Sequence, residues 1–121
     1  MRHKILVVDD DRPTLEMISL LLLRGGYEPV VSADPVEALD IARLSHPDLV
    51  LLDVLMEPID GWQFLDTLMV DPALSHLPVM LFTACPLVGG EHERYRGHVV
   101  RVFQKPVYPP ELMKALERFF S

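Results

Sequence analysis

Four places along the chain hold residue types suited to phosphate and metal chemistry, each just after a short apolar run. Ile5-Leu6-Val7-Val8 leads into Asp9-Asp10-Asp11, and Leu49-Val50-Leu51-Leu52 into Asp53. Val79-Met80-Leu81-Phe82 leads into Thr83-Ala84, and the run Val99 to Phe103 into Lys105-Pro106. Asp9, Asp10 and Asp53 held in one pocket could not all stay ionised without a compensating cation. An all-oxygen donor set suits a hard divalent ion, and Mg²⁺ commonly takes one or two carboxylates with water and phosphate. Lys105 offers a positive charge to a phosphate oxygen, and Thr83 a hydroxyl donor. A carboxylate in such a setting can take a phosphoryl group as an acyl phosphate. The protein then has mainly to position the reactants and neutralise charge.

The surrounding pattern gives these residues a common location. Ile5-Leu6-Val7-Val8 reads as a strand buried on both faces. Asp11 can cap the following helix, which has Pro13 in its first turn, Leu15, Ile18 and Leu22 along one face, and Gly25-Gly26 as its stop. Pro29 to Ser32 is a less apolar strand, nearer an edge. Asp34-Pro35-Val36-Glu37 resembles a capping box, and Ala38, Leu39 and Ala42 form the buried face of the second helix. The third strand, Leu49 to Leu52, is the most apolar. A helix over Trp62 to Met69 turns Leu65, Leu68 and Met69 inward. Strands over 79–82 and 99–103 follow, then a helix over Glu111 to Phe120 with Leu112, Leu116 and Phe119 on one face. The crossover at 85–97 needs a helix, yet Pro86, Gly89, Gly90 and Gly97 predict a short or loose one. Strand–helix alternation of this kind predicts an α/β, doubly wound parallel sheet with helices on both faces. Its site lies beyond the carboxyl ends of the strands, where the acids, Thr83 and Lys105 fall.

Composition narrows the function. A chain of 121 residues suits one domain, spanning residues 1–121. The net charge of −7, from 18 acids against 11 bases, disfavours direct contact with nucleic acid or anionic membrane. Met1-Arg2-His3-Lys4 precedes an apolar run too short for a signal segment or membrane span, so a cytoplasmic location is expected. Cys85 is the only cysteine and reads as a small, partly buried filler rather than a redox thiol. The five histidines show no metal-binding spacing and read as surface or loop residues. Asp60-Gly61 is turn and cap chemistry; Trp62 with Phe64 and Leu65 reads as helix packing, with a partner contact as the other reading of Trp62.

Taken together, Ile5 to Asp11, Pro47 to Asp53 with Asp60-Gly61, Pro78 to Ala84, and Phe103-Gln104-Lys105-Pro106 resemble the receiver domain of bacterial two-component response regulators. Four motifs in order, covering essentially the whole chain, make the signal specific. The resemblance implies a flavodoxin-like five-stranded sheet in the order 2-1-3-4-5. It implies that Asp53 accepts a phosphoryl group from a sensor histidine kinase or phosphotransfer protein, and that the surface then changes its affinity for a downstream protein. It implies no turnover chemistry beyond self-dephosphorylation. By the same resemblance Asp10, Asp53 and the Leu55 backbone carbonyl ligate Mg²⁺, with Asp9 acting through water. Thr83 and Lys105 contact the phosphoryl group, Ala84 leaves access to it, and the Lys105-Pro106 bond is cis.

Three departures from the family pattern stand out. Leu55-Met56-Glu57-Pro58 carries its proline one position late, which predicts a reshaped loop. Val102 stands where the family has a switching Tyr or Phe, and Phe103 points to the other face. The glycine-rich stretch at 85–97 occupies the usual signalling region, which predicts signalling by its ordering. Leu55 and Cys85, two residues past Asp53 and Thr83, flank the phosphoryl group in the family; apolar here, they predict slow dephosphorylation. Two other readings are available. Asp9 and Asp11 have the DxD spacing of haloacid dehalogenase phosphatases, which would make Asp9 the acceptor, but Pro13 replaces the expected Thr. A degenerate receiver acting only as an interaction module would not need so complete a set of acids.

Overall fold

A computed structural model describes residues 2–84, 95 and 97–121. Its elements in chain order are β1 (Lys4–Val8), α1 (Arg12–Arg24), β2 (Glu28–Ser32), α2 (Pro35–Ser45), β3 (Leu49–Asp53), α3 (Gly61–Val70), β4 (Val79–Thr83), β5 (Val99–Gln104) and α4 (Pro109–Phe120). The five strands are parallel in the order β2-β1-β3-β4-β5. This is the doubly wound arrangement expected from the alternation. The short or loose helix expected at 85–97, and Cys85 with it, falls almost wholly outside the described residues.

Strand periodicity sorts the core into two layers. Ile5, Val7, Leu49, Leu51, Met80, Phe82 and Phe103 pack under α1 and α4, with Leu15, Ile18, Leu22, Leu112 and Leu116. Leu6, Val8, Val50, Leu52 and Leu81 point the other way, against Ala38, Leu39, Ala42, Phe64, Leu65 and Leu68 of α2 and α3. Each fully buried Leu or Ile stabilises by about 1.5–3 kcal/mol. The central strand β3 is therefore buried throughout and apolar up to Asp53, while β2 and β5 at the edges are half exposed.

The caps stand at the aspartates the sequence offers, but the full capping box forms at Asp60 rather than at Asp34. Asp11 accepts from the Thr14 amide and hydroxyl. Asp34 accepts from the Val36 and Glu37 amides, and α1 ends at Gly25 with Gly26 at φ +87°. Asp60 and Gln63 complete a reciprocal capping box at the start of α3. On α4 the buried face is Leu112, Ala115 and Leu116, and Phe119 is 36% exposed rather than inward. Phe119 borders a groove with Val100 and Arg101 of β5, the edge strand of the sheet among the described residues. Phe120 instead stacks on His3, ring centroids 4.0 Å apart, and lies beside Tyr27. No helix among the described residues is long and apolar enough to cross a membrane.

Candidate functional site

Parallel register places the chemistry. Val8 pairs with Leu52, so Asp9, one residue on, lies beside Asp53 at the end of β3. Asp53 pairs with Phe82, which sets Thr83 one step beyond on β4. The Lys105 amide donates to the Thr83 carbonyl at 2.8 Å, carrying β5 past its end and turning the lysine back over the sheet edge. Carboxylate oxygens of Asp9, Asp10 and Asp53 come within 4.8 Å of one another. Asp9 and Asp53 are buried and Asp10 is exposed.

Lys105 organises the two buried acids. Its Nζ lies 2.9 Å from Asp9 Oδ2 and 3.3 Å from Asp53 Oδ2. The same ammonium sits 5.3 Å from the centroid of the Phe82 ring. Asp9 Oδ1 accepts from the Asp11 amide at 2.9 Å, and Asp53 Oδ1 from the Leu55 amide at 3.3 Å. One ammonium does not balance three carboxylates. Burial, and then the charge of Asp9, push the Asp53 carboxyl up to about 6, against the opposing pull of Lys105. Burial pulls the Lys105 ammonium down, but the hydrogen bond and charge of Asp9, with the charge of Asp53, outweigh it and raise it overall. Three carboxylates and one ammonium leave a surplus of two negative charges among oxygen donors only. That donor set fits a hard divalent cation.

The expected residues are brought together unevenly. Asp9, Asp10, Asp53 and Lys105 converge. Thr83 is buried at the end of β4, at the same edge of the sheet. Leu55 meets Asp53 through its amide, and its side chain is 52% exposed. The Lys105-Pro106 bond is cis, and Glu57-Pro58 is cis as well. Met56 is buried in that loop while Glu57 and Pro58 are exposed. Phe103 is buried and Val102 is 38% exposed, as strand alternation requires. The phosphatase reading gains nothing here. Asp11, the second acid of its DxD pair, is occupied in the α1 helix cap.

Two features were not anticipated from the sequence. The pattern Asp60-Gly61 predicts a turn residue at Gly61, which also presses on the site. A Cβ there would lie 2.6 Å from the Asp53 carbonyl oxygen and 2.8 Å from Val54 Cα. The Gly61 amide also donates to the Val54 carbonyl at 2.8 Å, tying the start of α3 to the end of β3. A glycine eight residues past an acid was the available signal, and it does not by itself distinguish close approach from a turn. The second feature is a stack of Trp62 on Tyr95, centroids 5.2 Å apart with an interplanar angle of 18°.

Comparison with known proteins identifies the family. Residues 5–117 match the response regulator receiver domain family. The polar-differentiation response regulator DivK of Brucella ovis is 29% identical over 121 residues, covering all of this chain and 98% of that protein. The N-terminal domain of a response regulator receiver protein from Methanoculleus marisnigri is 37% identical, with TM-score 0.82 and 98% and 97% of the two chains covered. The chemotaxis response regulator CheY4 of Vibrio cholerae is 28% identical, with TM-score 0.88 and 98% of each chain covered in one crystal form. The chain belongs to the response regulator receiver domain family, the phosphorylation-controlled signalling switches of two-component systems.

Proposed function

We propose that this chain is one receiver domain over residues 1–121 and that Asp53 is its phosphoacceptor. The observation that carries the reading is the joining of Asp53 to Asp9 through one lysine, with Asp10 alongside. The donor is a phosphohistidine on a sensor kinase or phosphotransfer protein in the cytoplasm. An Asp53 carboxylate oxygen attacks phosphorus in line. The new P–O bond forms as the donor's P–N bond breaks, and the imidazole leaves with the electron pair and takes a proton from solvent. The product is an acyl phosphate, and Asp53 is a stoichiometric acceptor rather than the centre of a turnover enzyme.

Asp10, Asp53 and the Leu55 carbonyl would hold Mg²⁺, with Asp9 assisting through water. When bound, the ion supplies charge neutralisation for the phosphoryl oxygens. Lys105, oriented by Asp9, supplies a second positive charge, and Thr83 a hydroxyl donor. The phosphoryl group adds charge that these residues must accommodate, and the resulting rearrangement changes affinity for a protein partner.

Mass spectrometry after incubation with acetyl phosphate tests this reading. Label should map to Asp53, require a divalent ion, and vanish in Asp53→Ala. Label on Asp9, or label that survives Asp53→Ala, refutes it.

A further inference from the structure

The family's usual readout needs an aromatic residue where this chain has Val102, whose side chain has one stiff torsion and is already 38% exposed. A different aromatic contact joins the site to the start of β5. Gly61 is in hydrogen-bonded and steric contact with the Asp53–Val54 backbone, so displacement there reaches the first turn of α3 directly. Trp62 is the next residue, and its ring stacks on Tyr95. Asp66 lies one turn further along the same helix face, and its Oδ1 accepts from the Tyr95 hydroxyl at 2.9 Å.

Tyr95 is therefore held by α3 at both its ring and its hydroxyl, and it is 2% exposed. Its carbonyl accepts from the His98 amide, and the His98 carbonyl accepts from the Val79 amide, each at 2.8 Å. Val79 and His98 stand where β4 and β5 begin to pair, beside an irregularity in their register. A continuous set of contacts thus runs from Asp53 through Gly61, Trp62 and Tyr95 to the entry of β5.

We propose that the clasp of Trp62, Asp66 and Tyr95 carries the phosphorylation state of Asp53 to β5, in place of an aromatic switch in β5 itself. The inference rests on Asp53 being the acceptor. Packed contacts of this kind convert small shifts into discrete rearrangements, and the coupling has to be measured rather than read from adjacency.

Beryllofluoride with Mg²⁺ serves as the phosphoryl mimic, and its binding is measured separately by calorimetry. Trp62 is the only tryptophan, so its emission reports on the stack. In the parent, emission should shift in step with ligand saturation, and amide exchange across residues 99–104 should slow. Trp62→Leu should still bind the mimic to saturation but lose the slowing. Tyr95→Phe, which keeps the ring and loses the bond to Asp66, should show it reduced. Full binding with no change in parental emission overturns the proposal, as does slowing that persists in Trp62→Leu. Absence of binding in the parent overturns the acceptor assignment as well, and calorimetry separates that result from failure of the clasp alone.

Discussion

Replacing Asp53 with Asn should stabilise the protein in the absence of divalent metal. The Asp53 carboxyl is pushed up to about 6 by burial and by Asp9, from an ordinary value of 3.8. Near neutral pH the native state therefore holds an ionised group it disfavours. A rise of about 2 units corresponds to roughly 3 kcal/mol. Asparagine keeps the shape and removes the charge, and it leaves Lys105 paired with Asp9. Its amide forms weaker bonds to Lys105 than a carboxylate does, so a net gain of about 1–3 kcal/mol is expected.

The sign fixes a pH window. Well below the ordinary value of 3.8 Asp53 is protonated in both folded and unfolded chains, so its charge carries no penalty. Between there and about 6 the native state binds more protons, and each rise in pH costs the parent stability. Above 6 the difference levels off. Urea unfolding in EDTA at pH 4 and pH 7 measures it: the Asn variant should exceed the parent at pH 7, with the advantage largely gone at pH 4. Mg²⁺ at 100 times its dissociation constant stabilises by ~2.7 kcal/mol and should close the gap from the parent's side. The reasoning fails if Asp53→Asn is no more stable at pH 7 in EDTA, or if Mg²⁺ stabilises both proteins equally.

Asp10→Ala should weaken Mg²⁺ binding by at least the ~10-fold that loss of even an outer-shell partner brings. Asp11→Ala should leave Mg²⁺ binding in place and cost ~0.5–2 kcal/mol through the lost α1 cap, and equal metal losses in the two variants would contradict the ligand assignment. Gly61→Ala forces a methyl against the Asp53 carbonyl and should destabilise by ~1–3 kcal/mol while slowing phosphorylation by acetyl phosphate; an unaffected rate would show that the contact does not position Asp53. Leu55 and Cys85 cannot orient an attacking water as a polar side chain can. Leu55→Asn combined with Cys85→Glu should therefore shorten the lifetime of the phosphorylated protein, and a hydrolysis rate no faster than the parent's would reject that account.

The site was legible because parallel strands impose strong constraints. Once Ile5 to Val8 and Leu49 to Leu52 are strands of one sheet, residues at their carboxyl ends must meet. Asp9 and Asp53 follow without knowledge of any side-chain contact. Helix starts were legible for a similar reason, since Asp11, Asp34 and Asp60 satisfy amides only two or three residues away. Phe119 was misplaced because periodicity gives the face a residue occupies on its own helix but not whether the opposing sheet extends that far. The close approach of Gly61 was illegible because it depends on how the loop after β3 folds back, and the stack of Trp62 on Tyr95 because it joins positions far apart in sequence. No local pattern distinguishes a glycine under a carbonyl from a glycine in a turn.

The instability proposed for the acidic pocket also has a place in the switch. A ligand moves a two-state equilibrium only by its difference in affinity for the two states. In the free protein, Lys105 is shared between Asp9 and Asp53 and cannot satisfy both together with Asp10. Phosphorylation would replace the Asp53 carboxylate with a group that carries more charge, extends further and can recruit Lys105 and Thr83. The arrangement around Lys105 would then differ between the two forms at its centre. A pocket already satisfied in the resting state would have less free energy to transmit. Relieving the resting pocket should therefore stabilise the domain and weaken its response together. Asp9→Asn tests this link: it should raise metal-free stability while reducing the slowing of amide exchange across residues 99–104 at full beryllofluoride occupancy. A variant that is stabilised yet responds fully would separate the strain of the pocket from the switch.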